Sequence, residues 1–182
     1  MAITKVTGAL LGNYTGGSAD DTVVIGDGAG DAITTGTDNT FIGDNAGSAT
    51  TTASNNVAVG SSALLANTTG AANTAVGYNS LVANTTGIEN TAVGTDSLDS
   101  NTTGDYNTAV GGNALYASTT GDSSTGIGYN ALAAQTTGQY NTAVGSAALA
   151  TATTADNNTA VGRNALLSNT TGTNNHAFGA NA

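Results

Sequence analysis

Two apolar columns run along this chain, and both repeat every 17 residues. The first is branched or aromatic: Ile25, Ile42, Val59, Val76, Val93, Val110, Ile127, Val144, Val161 and Phe178, each followed at once by a glycine, from Gly26 to Gly179. The second stands four residues beyond the glycine, at Leu64, Leu81, Leu98, Leu115, Leu132, Leu149 and Leu166. Gly30 and Gly47 occupy that place in the first two units, so the N-terminal units are expected to pack differently. Nine successive steps carry no insertion. Loops between globular elements tolerate insertions, whereas a coil stacked on its neighbours must keep its perimeter constant to stay in register. The period therefore predicts an all-β parallel solenoid, or β-roll, of ten 17-residue coils over residues 21–182, with residues 1–20 as a cap or attachment segment.

Within the unit, Asn-Thr-Ala-Val suits a short strand, since alternate residues take opposite faces. The column before the glycine is the predicted buried ladder, with Val93 and Val110 in the core and Leu98 and Leu115 stacked on their equivalents one coil away. On the other face, Ala75, Ala92, Ala109, Ala143 and Ala160 are expected to meet neighbouring chains, where small residues permit close approach. The pairs from Thr68-Thr69 to Thr170-Thr171 favour a second extended stretch through their branched β-carbons. Gly70, Gly87, Gly104, Gly121, Gly138 and Gly172 then close the corner, with Ala155 departing. Between strand and corner, Asn-Ala-Leu fits a helical turn or a bent strand. A helix over the whole unit fails, because two glycines per unit cost roughly 1 kcal/mol each relative to alanine. Ten coils at the ~4.8 Å strand spacing make a rod of about 45–50 Å with open edges at both ends. The last coil stops partway, at Ala180-Asn181-Ala182, so the rod is expected to continue in another module or a longer chain.

Composition thins the core. Alanine carries nearly half of the 38% hydrophobic content, beside 26 glycines, two phenylalanines and no tryptophan. Lateral association is the expected remedy. The formal charge is −10, with Lys5 and Arg163 as the basic residues, so a phosphate backbone would be repelled and nucleic-acid binding is excluded. No cysteine is present, which removes disulfides and thiolate metal sites. Met1 to Gly12 holds no apolar stretch long enough for a signal-peptide core, and no later run is long enough to insert in a membrane.

Candidate chemistry is sparse, and no catalytic, cofactor-binding or metal residue is assigned; the chain is not read as an enzyme. His176, the sole histidine, occupies a threonine position without an orienting partner. The stretch Gly26-Asp27-Gly28-Ala29-Gly30-Asp31 is similar to calcium-binding β-roll turns but does not recur at the required spacing, so turn chemistry accounts for it better. The column Asn39, Asn56, Asn73, Asn90, Asn107, Asn141, Asn158 and Asn175 reads as an amide ladder that locks register rather than a row of surface ligands. The Thr-Thr column has the geometry of a flat hydroxyl array, as in ice-binding solenoids, although threonine also simply suits strands. Asn-Thr-Thr triplets at Asn67, Asn84, Asn101 and Asn169 fit the glycosylation sequon, a match that means little without a secretory signal.

Units such as Asn107-Thr108-Ala109-Val110-Gly111 with Ala114-Leu115 resemble the head repeats of trimeric autotransporter adhesins of the YadA-like type, and similar arrays occur in phage tail fibres and related appendages. That resemblance, over residues 21–182, implies a left-handed β-roll, three chains side by side and binding to a host surface receptor. The opening Met1 to Thr7, Met-Ala-Ile-Thr-Lys-Val-Thr, resembles the start of many phage tail-fibre proteins. It implies a virion protein assembled in the host cytoplasm, a homotrimer joined to other virion proteins through the N-terminal segment. An ice-binding solenoid and a self-stacking bacterial surface adhesin or filament subunit are the rival readings.

Overall fold

The computed structural model describes residues 22–182, and the expected cap or attachment segment, residues 1–20, lies outside the described residues. Ten three-residue strands, from β1 (Val23–Ile25) to β10 (His176–Phe178), stack in chain order into one parallel sheet. Each strand pairs with its neighbour at an offset of 17: in β5 (Thr91–Val93) and β6 (Thr108–Val110), Thr91 faces Thr108, Ala92 faces Ala109 and Val93 faces Val110. The chain is a β-solenoid with one 17-residue unit per turn.

The face of the strand is the reverse of the expected one. Ala75, Ala92, Ala109, Ala143 and Ala160 are fully buried, while Val93 and Val110 are half-buried and point outward with Thr91 and Thr108. The reason is volume. From the third to the eighth coil a fully buried leucine, such as Leu98 or Leu115, already packs against the inner side of the strand, and only a methyl group fits beside it. The leucine stack is present as anticipated.

Where the leucine is missing, another residue fills its place. Phe41, on β2 (Thr40–Ile42), is fully buried where later strands carry alanine or, once, Gly126. A methyl group on Gly47 would lie 2.6 Å from the ring tip of Phe41. Bulk has moved from the leucine column to the strand, and the opposing glycine makes room.

The segment after the strand is neither helix nor strand. It is a run of turns in which the residues two and four beyond the glycine are left-handed: Asp96 (φ 54°) and Leu98 (φ 50°), Asn113 (φ 57°) and Leu115 (φ 53°). Asparagine tolerates that conformation, but for leucine it costs about 1–2 kcal/mol. Full burial of the side chain returns about 1.5–3 kcal/mol, so the fold gains on balance. These turns also bond from coil to coil: Leu98 N–H donates to the Ala114 carbonyl at 3.0 Å, and Asn113 N–H to the Thr95 carbonyl at 3.0 Å.

The Thr-Thr pairs do not form a second strand. They are bends, and from Thr68-Thr69 to Thr119-Thr120 both backbone N–H groups turn toward one carbonyl of the next coil, as Thr85 and Thr86 do toward Thr102 at 2.9 and 3.3 Å, whereas at Thr136 and Thr153 the first N–H alone does so. The Thr85 hydroxyl donates to the same carbonyl at 2.9 Å. The branched β-carbon favours extended backbone, but converging donors pull the pair into a bend.

Candidate functional site

Position by position around the coil, the interior is claimed by structure. Asn73 is buried; its Nδ2 donates to the Gly87 carbonyl at 2.8 Å, and its Oδ1 accepts from the Asn90 backbone N–H at 2.9 Å. The same two bonds recur at Asn39, Asn56, Asn90 and Asn107. The amide ladder thus locks register chiefly through the neighbouring backbone, with one direct amide contact where Asn158 Nδ2 donates to Asn141 Oδ1 at 3.1 Å. Ser124 interrupts it, and its hydroxyl accepts from the Asn141 N–H at 3.3 Å instead.

A second ladder lies where the sequon reading pointed. Asn67, Asn84 and Asn101 are fully buried and bonded amide to amide: Asn84 donates to Asn67 Oδ1, and Asn101 to Asn84 Oδ1, each at 3.0 Å. Each also donates to the carbonyl of the glycine three residues on, as Asn84 does to Gly87 at 3.0 Å. A methyl group on Gly87 would sit 2.5 Å from Asn84 Oδ1, which explains why Asn and Gly occur together in Asn-Thr-Thr-Gly. A fully buried amide is closed to a glycosyltransferase. The signal was available in the sequence, since Ala53 and Ala155 replace this glycine only where Thr50 and Ala152 replace the asparagine.

In the pairs from Thr51-Thr52 to Thr153-Thr154 only the second side chain is exposed, as at Thr86 and Thr103, whereas both are exposed in Thr34-Thr35 and Thr170-Thr171. The first, from Thr34 to Thr153, has its hydroxyl committed to a carbonyl of the next coil. The pair therefore offers one hydroxyl column to solvent rather than two. His176 is exposed on β10, paired in register with Thr159. Asp27 and Asp31 are both exposed, and Gly28 (φ 64°) and Gly30 (φ 57°) between them serve a tight turn. Among the described residues, no three His, Cys, Asp or Glu side chains converge to hold a metal.

Beside that hydroxyl column, two surfaces of the described residues present side chains to solvent. One is the outward strand face, where Thr and Val or Ile alternate over the length of the sheet. The other is a shallow open cleft of about 380 Å³ between the fifth, sixth and seventh coils. Its floor and walls are Asp96, Asn113 and Asn130, three equivalent positions on successive coils, and Tyr116 with Ala133, equivalent to each other three residues further on. Tyr116 is 43% exposed. Asp96 Oδ1 accepts from the Asn79 amide at 3.2 Å. Beside Asp96, burial and the repulsion of that carboxylate push the Asp99 pKa above its ordinary value, against a smaller lowering by the Ser100 hydroxyl. Sequence reading missed this cleft because it treats the repeat as uniform. The available signal was departure from the column, a lone tyrosine followed one coil later by alanine.

Comparison with protein-family models, curated proteins and solved structures gives no match for this chain.

Proposed function

We propose that this chain is a structural virion protein: the rod of a tail fibre or appendage, trimeric, attached through residues 1–20 to other virion proteins and contributing to host-surface attachment. The observation that carries the reading is the uncharged outward strand face. Val93, Val110, Val144 and Val161 alternate with Thr91, Thr108, Thr142 and Thr159 in parallel register. None of the 12 acidic residues falls in either outward column, from Val23 to His176 or from Ile25 to Phe178. Half-covered branched side chains in a continuous row are the kind of surface that burial against copies of itself removes from water. Three-fold closure would use the same face on every copy and leave no side open.

The expected alanine contact between chains has no place in this reading, since those alanines are inside the coil. Immunogold labelling with an antibody to the repeat tests the assignment. Label along the tails of virus particles is the expected result. Label confined to cell surfaces would contradict a virion role, and thermal hysteresis in dilute protein would replace it with ice binding.

A further inference from the structure

We propose that the cleft between Tyr116 and the Asp96–Asn113–Asn130 row is a binding site for a neutral pyranose of a surface glycan. This rests on the attachment reading and gives it a ligand class and a place on the rod.

The cleft exists because the column that holds Tyr116 changes size within one coil. That column carries Leu65, Val82 and Leu167 but also Asp31, Ser48, Asp99 and Ala150, and at this place its one tyrosine, Tyr116, is followed by Ala133, whose small side chain leaves the ring flanked by a gap. An aromatic face is electronegative at its centre, so it attracts the weakly positive C–H groups on one face of a sugar ring.

Polar groups lie within the same cleft. Asp96, Asn113 and Asn130 are stacked at the coil spacing of ~4.8 Å, which is close to the span between alternate hydroxyls of a pyranose. The amides of Asn113 and Asn130 each offer two donors and an acceptor, and the Asp96 carboxylate accepts. Neither amide bonds to another side chain among the described residues, in contrast to the committed asparagines of the interior.

Charge selects the class. Asp96 stands at one end of the cleft, close enough to Asp99 for their charges to repel, and no basic side chain lines it. On a chain of formal charge −10, sialylated, uronic or phosphorylated sugars are repelled, leaving a neutral ring. One open site of this size binds weakly, and parallel chains in a fibre would multiply it.

The test is ligand-observed NMR with the full chain and a panel of methyl pyranosides of glucose, mannose, galactose and N-acetylglucosamine, beside glucuronic acid as the anionic control. At least one neutral pyranoside should show saturation transfer, and glucuronic acid none. Tyr116→Ala should weaken binding at least about tenfold. Ala133→Leu introduces a side chain the column already tolerates at Leu65 and Leu167, and it should abolish the signal by filling the gap. Tyr140→Ala, elsewhere on the surface, should leave binding unchanged. No transfer from any neutral sugar, or transfer that survives Ala133→Leu in a protein melting like the parent, overturns the site. Cell adsorption and a trimeric mass without sugar binding would overturn the site and spare the attachment reading. Sugar binding by a monomer would do the reverse for the trimer.

Discussion

At the scale of single residues, the repeat is governed by how close one coil comes to the next. Gly94 has φ 136°, and a methyl group on it would stand 2.7 Å from the carbonyl carbon and oxygen of Gly111. Gly94→Ala should therefore lower stability by at least about 2 kcal/mol in chemical denaturation, since strained backbone and overlap both oppose it. Gly112→Ala supplies the control: its backbone is not left-handed and the nearest atom is 3.6 Å away, so this variant should be neutral or gain a few tenths of a kcal/mol. The second amide ladder has a gap that can be repaired. Asn101 Oδ1, Ser118 Oγ and Gln135 Nε2 are buried without partners, and all three lie where Ser118 interrupts the asparagine column. Ser118→Asn would give Asn101 a donor, Gln135 an acceptor and the Gly121 carbonyl a further bond, raising stability by about 1 kcal/mol. A lower melting temperature would contradict the ladder geometry. Asp99→Asn should also stabilise at neutral pH. The raised pKa means the folded state binds the proton more tightly than the unfolded one, so any contribution is present in acid and lost as pH rises through the folded value. The gain should thus vanish below the ordinary carboxylate pKa. Much at this scale was legible: the glycine register, the leucine stack and the structural use of asparagine. Atom-level partners were not, because a column of identical residues reads alike whether its amides bond to one another or to backbone.

The strand is the element in which sequence pattern and structure part. Alternation in Thr-Ala-Val places valine and threonine on one face and alanine on the other, but alternation alone does not say which face turns inward. Hydrophobicity favours valine inside, whereas the space left beside a stacked leucine favours alanine, and volume decides. Phe41 opposite Gly47 is the clue within the chain, since bulk on the strand appears where the leucine column has lost it. A paired substitution tests the assignment. Ala109→Asp would bury an unpaired carboxylate in the core and should unfold the chain or cost several kcal/mol. Val110→Asp places its charge on the half-buried outward face and should leave the circular dichroism spectrum of the coil intact. The reverse ranking would mean that valine faces the core. The Thr-Thr bend was illegible for another reason: propensity describes one residue's backbone preference, and here three donors from one coil compete for a single carbonyl of the next.

For the whole molecule, the 17-residue period settled architecture without any knowledge of side-chain packing, because every step bonds to the next and none can lengthen alone. What lies on the outside depends on which face turned inward, and that reversal moves the expected contact between chains from the alanine column to the valine and threonine columns. The central claim is that this outward face holds three copies together. Sedimentation equilibrium of the full chain at micromolar concentration tests it most directly, with Val110→Asp run beside the parent. The account predicts a mass near three times 17.4 kDa for the parent and a shift toward 17.4 kDa for the folded variant. A parent that sediments as a stable monomer, or a Val110→Asp variant that remains fully trimeric, would contradict it.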